Sequence, residues 1–402
     1  MAKKNAAIGF IFITLLVDIT GWGLIIPVMP RLIEDLIQGD ISEAAKYSGW
    51  MGFAYAGMQF LFAPILGGLS DKYGRRPVIL FSLFGFGLDY LVLTFANSIE
   101  WLFIGRIIAG ITGASITTAS AYIADISTPE TRAQNFGMIG AAFGVGFILG
   151  PVLGGLLGQY GPRVPFIVAS VLCFLNWLYG YFVLPESLPV EKRREFSLKR
   201  ANPVGTLLQI RKYPLLMPLI TCMIFLYMAG HAVQSTWAFF GIEQFDWNER
   251  MIGISLGVVG LMIGIVQGGL IRVVNPRLGN EKSVYAGLIL YTVGLVLFAF
   301  ATQTWMMFLF LVPYCLGGLA GPALQSLMSG MVSPSEQGEL QGALTSTASA
   351  TSIIGPPLMT NTFSFFTKTG TLFYFPGAPF ALGAVFMCLA LWLAYRALGN
   401  KK

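Results

Sequence analysis

Four ionisable side chains lie inside long apolar stretches of this 402-residue chain, where an ionised group is costly to keep. Asp18, Asp89 and Arg106 fall in three different stretches of the first half, and His231, the only histidine, falls in the second half. A carboxyl group in a dry site holds its proton more tightly, and an approaching guanidinium group releases that proton again. These residue types indicate reversible proton binding inside an apolar medium.

A static role for the same groups is the other interpretation. A buried acid and an arginine could pair permanently and only orient two helices. A lone histidine can titrate near neutral pH, but it can equally be a hydrogen-bonded helix contact or part of a cavity lining. The sequence leaves both roles open, and Asp18, Asp89, Arg106 and His231 are its candidates for proton coupling.

The elements that position these groups are predicted to be membrane-spanning helices. The chain is 55% hydrophobic and only 11% charged, which is more apolar than a water-soluble domain of this size can bury. No run alternates with period two, which argues against a barrel, so the fold class is all-α with helices that each cross about 30 Å of hydrocarbon. The twelve runs near spanning length are Ala6–Met29, Tyr47–Leu69, Pro77–Ala96, Trp101–Ala124, Asn135–Leu157, Pro165–Leu184, Pro214–Gly241, Ile252–Ile271, Ser283–Ala301, Trp305–Val332, Leu340–Thr362 and Thr371–Leu393.

Positive charge is shared unevenly between the loops. If the N-terminus lies in the cytoplasm, 19 of the 25 lysines and arginines fall on the cytoplasmic side, five on the far side and one, Arg106, within the membrane. Loops rich in lysine and arginine stay in the cytoplasm. We therefore expect a multi-pass protein of the inner (plasma) membrane with both termini cytoplasmic. The net charge of +6 reflects this anchoring and does not indicate nucleic-acid binding.

A short charged turn separates the second and third runs. Residues 67–77 read Gly-Gly-Leu-Ser-Asp-Lys-Tyr-Gly-Arg-Arg-Pro, and four of them are charged. The glycines and the proline require one helix to stop and another to start there. On charge alone this turn is a cytoplasmic anchor.

The chain contains two copies of one unit. A glycine-rich helix, a turn with proline and a helix that ends in Gly-Pro occur over residues 113–151 and again, 205 residues later, over residues 318–356. Parallel repeats of this kind predict two six-helix bundles. We expect an N-terminal bundle over residues 1–184, a polar and basic cytoplasmic linker with a short surface helix over residues 185–213, and a C-terminal bundle over residues 214–402.

Several of these segments resemble signatures of the major facilitator superfamily. Residues 105–114 resemble its fourth-helix signature, whose arginine is linked to proton coupling. Residues 146–155 resemble the fifth-helix signature of its drug/proton antiporters, in which the Gly-Pro step permits close helix packing or a kink. The charged turn resembles the loop after the second helix, whose expected places are filled by Gly67, Asp71, Gly74, Arg75 and Arg76.

Within that superfamily the chain resembles the tetracycline-efflux branch along most of its length. The likeness is carried by residues 16–30, 82–91, 123–125, 245–248 and 321–325. The resemblance implies two pseudo-symmetric halves that work by alternating access. It also implies that Asp18, Asp89 and Arg106 match residues needed for the exchange of metal-bound tetracycline for protons.

The resemblance also guides the choice of gating and substrate-binding candidates. The gating candidates are Gly67, Asp71, Gly74, Arg75, Arg76, Asp125, Gly150 and Pro151. We expect Asp71, braced by Arg75, to face the start of the eleventh helix near residues 336–340 while the cytoplasmic mouth is closed. Of the substrate-binding candidates, the glutamines of the second and eighth helices match cavity-facing positions, and the aromatic residues suit a ring-containing amphiphile, although aromatic rings in helices are more often packing. These candidates are Gln59, Gln234, Trp237, Gln267, Tyr291 and Gln325.

Two departures from the branch concern the substrate. Its members carry a histidine in the eighth helix and an aspartate in the ninth, and we align those positions with Ile263 and Tyr291. The departures weigh against tetracycline more than against antiport. We predict a proton-coupled efflux antiporter for a small amphiphilic compound, tetracycline-like or another drug. A proton-linked uptake symporter of the same fold is the alternative.

Other classes of protein lack support in the sequence. The chain has one histidine, no acid-rich metal cluster and no Gly-x-x-x-x-Gly-Lys loop, so we expect no enzyme, no cofactor and no metal site. Its four cysteines all fall inside apolar runs, and we expect no disulfide. A non-transporting scaffold or receptor would not need Asp18 and Arg106 buried. The partners we expect are a small amphiphilic substrate, protons and the lipid bilayer, and we expect a monomer.

Overall fold

The computed structural model describes residues 2–113, 115–196, 216–333 and 336–399, and these residues form helices and loops with no strand. Shorter turns are 3-10 helical at Val190–Lys192 and Gly317–Leu319 and π-helical at Val266–Leu270. The α-helices in chain order are α1 (Ala2–Ile25), α2 (Met29–Ile37), α3 (Ile41–Tyr73), α4 (Arg75–Phe95), α5 (Ile99–Thr112), α6 (Ser115–Ile126), α7 (Pro129–Gly158), α8 (Val164–Val183), α9 (Met217–Phe245), α10 (Glu249–Ile265), α11 (Ile271–Leu278), α12 (Asn280–Ala299), α13 (Thr304–Leu316), α14 (Ala320–Ser329), α15 (Gln337–Thr367) and α16 (Ala378–Gly399).

The predicted all-α, multi-span fold is confirmed. Each of the twelve predicted runs overlaps one described helix or consecutive helices, with α5–α6, α10–α11 and α13–α14 each forming one interrupted span. Within the described residues, eleven helical stretches are long and apolar enough to cross a membrane. The exception among the predicted spans is α15, which is 31 residues long but rich in serine and threonine.

Three local predictions differ from the structure. The first run was expected to continue to Met29, but α1 ends at Ile25 and the separate helix α2 starts at Met29, with a proline in its first turn. The last run was expected from Thr371, but α16 starts only at Ala378 because Gly370, with a φ of 81°, and the following Pro-Gly pair hold a loop. The predicted linker over residues 185–213 is described only as far as residue 196, where it contains the 3-10 turn Val190–Lys192, and the rest of it lies outside the described residues.

The described chain packs as two compact units. The start of α3 belongs to the second unit, and the start of α10 belongs to the first. The predicted division into halves at residues 184 and 214 stays a prediction. The first unit is drawn from Met1–Gln38, Ala54–Pro203 and Asn248–Gly257, and the second from Gly39–Phe53, Val204–Trp247 and Val258–Lys402.

In the first unit, α7 packs on α1 through its glycine-rich face. A Cβ atom built on Gly23 would lie 2.7 Å from Cδ of Pro151, and one built on Gly150 would lie 2.7 Å from the carbonyl oxygen of Thr20. Larger side chains at these two glycines would push the helices apart. The glycines therefore let α7 lie directly against the part of α1 that follows Asp18.

In the second unit, aromatic rings fill the space between α9 and its neighbours. Trp237 of α9 is 1% exposed, and its ring centroid lies 5.2 Å from that of Phe298. Phe240, one turn further along α9, lies 4.9 Å from Phe380 in an edge-to-face arrangement. Large rings in these geometries contribute more than their buried area alone, so this cluster fixes α9 against α12 and α16.

Candidate functional site

Asp89 and Arg106 form a buried ion pair between α4 and α5. Asp89 is 1% exposed and Arg106 is 8% exposed. The guanidinium group donates from Nη2 to Oδ2 of Asp89. Gly105 makes this approach possible, because a Cβ atom there would lie 2.7 Å from the other carboxylate oxygen. Two of the predicted proton-coupling residues are thus in direct contact.

Asp18 is the second buried acid of the first unit. It lies on α1 and is 9% exposed. The hydroxyl of Ser115, at the start of α6, lies beside it, yet neither carboxylate oxygen meets a hydrogen-bond partner of ordinary geometry among the described residues. Two acids and one guanidinium group therefore occupy the same bundle, and the structure pairs the guanidinium group with Asp89.

Polar groups of α3 lie next to this charged set. Gln59 donates from Nε2 to the carbonyl oxygen of Gly113 (3.1 Å) and to the hydroxyl of Tyr55 (3.2 Å). This contact holds the backbone at the interruption between α5 and α6. Tyr55 also lies within electrostatic range of Asp18 and Arg106. Sequence reasoning missed Tyr55, although it precedes Gln59 by one helical turn and so shares its face.

Arg75 connects three helices at the charged turn. From Nη1 it donates to Asp71 (2.5 Å) and to the hydroxyl of Ser70 (2.7 Å), and from Nε it donates to Asp125 (3.1 Å). Asp125 also accepts a hydrogen bond from the hydroxyl of Ser187 (3.1 Å). The structure thus brings together three gating candidates, one each from α3, α4 and α6. The expected contact of Asp71 with residues 336–340 stays a prediction.

The other gating candidates lie around this network or on α7. Arg76 donates from Nη2 to the carbonyl oxygen of Tyr181 (2.6 Å) and lies over its ring. Gly74 has a φ of 107°, which a residue with a side chain rarely adopts. A Cβ atom on Gly67 would meet no atom within 4 Å. Pro151 lies inside α7, which continues through it.

Glu186, just after α8, is a residue that sequence reasoning missed. Its carboxylate accepts hydrogen bonds from the backbone N–H groups of Arg75 (2.8 Å) and Arg76 (3.2 Å) at the start of α4. Helix starts leave such N–H groups without partners, and a negative charge there is favourable. Further along this segment, Arg194 donates its backbone N–H to the carbonyl oxygen of Asp71 (3.1 Å). Glu186 therefore ties the chain after α8 to the charged turn.

Replacing Glu186 with glutamine should loosen this attachment. Glu186→Gln keeps the shape of the side chain but removes the charge that favours the start of α4, so we expect a loss of about 1 kcal/mol in the free energy of unfolding. The loss would appear as a lower unfolding temperature of the purified protein in detergent. Glu191→Gln, an exposed acid five residues further along, is the matched control. Equal unfolding temperatures for the two variants would contradict the assignment.

The candidates of the second unit do not all line one surface. Tyr291 donates from its hydroxyl to that of Tyr314 (3.3 Å), and their ring centroids are 4.8 Å apart. Gln267 lies on the π-helical turn, and its Nε2 atom is 3.8 Å from a Cβ atom built on Gly318. A Cβ atom built on the adjacent Gly317 would lie 2.6 Å from Cβ of Tyr291, so Gln267 and Tyr291 both lie close to one glycine turn.

The remaining candidates of this unit make other contacts. Gln325, in the middle of α14, donates to Gln341 (2.8 Å), and Gln234 is exposed on α9. Trp237 is packed in the aromatic cluster described above. His231 is buried with its ring against Gly355 of α15, where a Cβ atom would overlap it. That glycine precedes the Pro356-Pro357 pair, so the histidine marks a close approach of two helices.

The fold and these buried charges define a class of multi-pass membrane transporters. The family model described as Major Facilitator Superfamily matches residues 11–282 and 272–402, and the chain belongs to this family of transporters, which are not enzymes. The predicted family is thereby confirmed, and so is the expectation that the chain is not an enzyme.

Curated relatives share much of the sequence. The chain is 41% identical over 358 residues to "Tetracycline resistance protein, class C" of Escherichia coli, covering 89% of this chain and 90% of the relative. It is 33% identical over 395 residues to the class B protein of the same organism, covering 97% and 95%. The crystal structure of the human organic anion transporter MFSD10 matches with a TM-score of 0.70 at 24% identity, over 97% of this chain and 99% of that one. The structural match shows the fold.

Proposed function

We propose that this protein is a proton-coupled antiporter that exports a small amphiphilic compound by alternating access. The observation that carries the proposal is the arrangement of Asp18, Asp89 and Arg106 in the first unit. The first unit holds two buried acids and one buried guanidinium group, which is paired with Asp89, while Asp18 forms no ion pair among the described residues and has only the hydroxyl of Ser115 beside it. Keeping ionisable side chains inside a membrane costs considerable free energy, which favours a functional role for these three residues.

The mechanism follows from the imbalance between these charges. With Arg106 held by Asp89, the Asp18 carboxyl group is free to bind a proton. When Arg106 turns toward Asp18, it stabilises the ionised form, and the proton leaves. Opening to one side of the membrane at a time would make proton binding and proton release occur on opposite sides. Substrate export would then be linked to proton entry.

The remaining roles are part of the same proposal. Gln59 in the first unit and Gln234, Trp237, Gln267, Tyr291 and Gln325 in the second are the substrate-binding residues that we propose. Arg75, Asp71 and Asp125 form the central gating group, on the side that we assign to the cytoplasm. The names of the relatives, which are tetracycline resistance proteins, support a drug-like substrate. The membrane we assign is the inner (plasma) membrane.

Transport in inverted membrane vesicles tests the proposal. Respiration makes the interior of such vesicles acidic, so an antiporter should accumulate a fluorescent amphiphile inside them and lose it when an uncoupler is added. An uptake symporter would instead move its substrate out of the vesicles. A panel that includes tetracycline and several cationic dyes, with vesicles lacking the protein as the control, would identify the compound. No proton-driven accumulation of any of them would contradict the proposal.

We expect transport that does not require a divalent metal. At the two positions where the tetracycline-efflux branch carries a histidine and an aspartate, this chain has Ile263 and Tyr291, and Tyr291 is engaged with Tyr314. No group of three or more metal-binding side chains occurs in the part of the chain that the structure describes. Uptake into inverted vesicles with Mg²⁺ and with a chelator should therefore agree within about twofold. Strict dependence on Mg²⁺ would contradict this expectation.

A further inference from the structure

Four polar side chains in the core of the first unit have no protein partner. They are Thr14 on α1, Ser82 on α4, Thr118 on α6 and Asn176 on α8, and their exposed fractions are 0%, 0%, 1% and 5%. None of the three hydroxyl groups, and neither the oxygen nor the nitrogen of the amide, forms a hydrogen bond with a described residue. Buried polar groups are rarely left in this condition, and ordered water is their usual partner when the protein supplies none.

These hydroxyl groups differ from most others in the helices of this protein. Thr112 donates to the carbonyl oxygen of Ile108 (2.9 Å), and Thr347 donates to that of Ala343 (2.8 Å), four residues earlier in each case. A serine or threonine hydroxyl group inside a helix commonly donates to a carbonyl oxygen of its own helix in this way. The hydroxyl groups of Thr14, Ser82 and Thr118 form no such hydrogen bond, so they are available to a partner outside their own helix.

The four side chains are next in sequence to residues of one buried cluster, and we call this part of the bundle the polar level. Their chain neighbours Leu15, Leu83 and Ala119 are members of a single buried cluster, and Trp177, the neighbour of Asn176, packs against it. The helix α8 lies against the same cluster, because a Cβ atom built on Gly180, one turn after Asn176, would lie 2.6 Å from the ring of Phe10. Phe10 in turn precedes Thr14 by one turn.

This polar level adjoins the buried acids. Thr14 precedes Asp18 by four residues and Ser82 precedes Asp89 by seven, so each lies on the same helix face as its acid. Thr14 and Ser82 each lie nearer than the acid to the start of the helix that they share with it. The helix α4 starts at the Arg75 network. Thr118 similarly follows Ser115, the neighbour of Asp18, by three residues. The four groups therefore lie between the acids and the Arg75 end of the unit.

We propose that Thr14, Ser82, Thr118 and Asn176 hold a cluster of ordered water that carries protons between Asp18 and the Arg75 end of the first unit. Hydroxyl and amide groups both donate and accept, so they can support water in either orientation. A proton that reaches one end of the cluster leaves from the other end to the Asp18 carboxylate, and no bond other than O–H bonds changes. The proton-carrying role rests on the proposed antiport, whereas the water site does not.

Hydroxyl-radical footprinting by X-rays in ¹⁸O-water tests the water site on the purified full-length protein. Radicals formed from bound water oxidise adjacent side chains even in a buried position. We expect Leu15 and Leu83 to be labelled, although they are 1% and 0% exposed, and we expect no labelling of Leu288 and Leu295 in the second unit, which are both 0% exposed. Equal labelling of the two pairs would overturn the water site.

Substitutions test the same site and the proton route together. Thr14→Val and Asn176→Leu remove polar atoms with little change in volume, and each should lower the labelling of Leu15 by about fivefold. After a rapid acid jump, infrared absorption of the protonated carboxyl group, assigned as the band missing in Asp18→Asn, should then rise about tenfold more slowly. Thr347→Val, which removes a hydroxyl group already bonded to its own helix, should change neither measurement.

Each outcome bears on one part of the proposal. Reduced labelling with an unchanged rate of Asp18 protonation would overturn the proton route. Unchanged labelling in both variants would overturn the assignment of the water to these side chains. If Asn176→Leu fails to fold, the nearly isosteric Thr14→Val still decides both points. Failure of the antiport proposal itself would appear elsewhere, as the absence of proton-driven accumulation in vesicles that nevertheless contain normally labelled protein.

Discussion

Asp18→Asn will abolish uphill export while the protein still folds and inserts into the membrane. The substitution keeps the size and shape of the side chain but removes the group that we propose binds and releases the proton. Asp18 forms no ion pair among the described residues, so its loss leaves no charge without a partner. Proton-driven accumulation in inverted vesicles should fall by at least about 100-fold, and the amount of protein in the membrane should not change.

The control for this variant is Asp35→Asn, which neutralises an exposed acid on α2 and should transport normally. A second measurement separates coupling from binding, because substrate affinity of purified Asp18→Asn should no longer vary with pH. Uphill export at the normal rate in Asp18→Asn would show that the proton is carried by another group.

Arg106→Gln should destabilise the protein more than Asp18→Asn or Glu186→Gln. It leaves Asp89, which is 1% exposed, without its counter-charge in an apolar interior. Breaking a buried ion pair by removing one partner typically costs about 3–5 kcal/mol. The double variant Asp89→Asn/Arg106→Gln, in which both charges are gone, should recover most of this loss. Thermal unfolding in detergent measures both effects.

Transport separates the structural role of the pair from its role in coupling. The double variant should fold but fail to export, because no guanidinium group remains to release the proton from Asp18. Arg132→Gln, an exposed arginine on α7, should behave like the unchanged protein in both measurements. A double variant no more stable than Arg106→Gln would show that Asp89 and Arg106 stabilise the fold independently. Export by the double variant would contradict a coupling role for the pair.

The number and order of the spans could be predicted because a bilayer imposes a simple rule on sequence. Every crossing needs a helix-length apolar run, and each predicted run overlaps at least one described helix. The interruptions were not predicted. The break near Gly113, the π-helical turn at Val266–Leu270 and the 3-10 turn at Gly317–Leu319 lie within apolar runs, where hydropathy does not change. At Gly113 the backbone is bonded by Gln59 of another helix, and the sequence does not reveal such a contact.

The residues of the candidate site could be predicted from the sequence, but which of them pair with one another could not. Ionised groups in apolar runs are visible in the sequence, yet only the packing of α4 on α5 decides that Arg106 binds Asp89 and not Asp18. Arg75 was expected to brace Asp71, four residues earlier on the chain, and the ion pair has this spacing. Glu186 was missed because it lies 111 residues from the helix start that it binds, and a single acid in a loop carries no periodic signal.

The polar character of α15 has a consequence for how the protein is made. This helix is not among the described stretches that are apolar enough to cross a membrane on their own, and it contains two consecutive prolines. Each polar residue at the centre of a span opposes its transfer from the translocon into lipid. We therefore expect α15 to enter the bilayer only after α9 has been inserted, since the His231 face of α9 meets it at Gly355. Chains that lack α9 should accordingly leave this segment exposed to proteases, and damage to α9 should be detected by the cell as a failure of biogenesis.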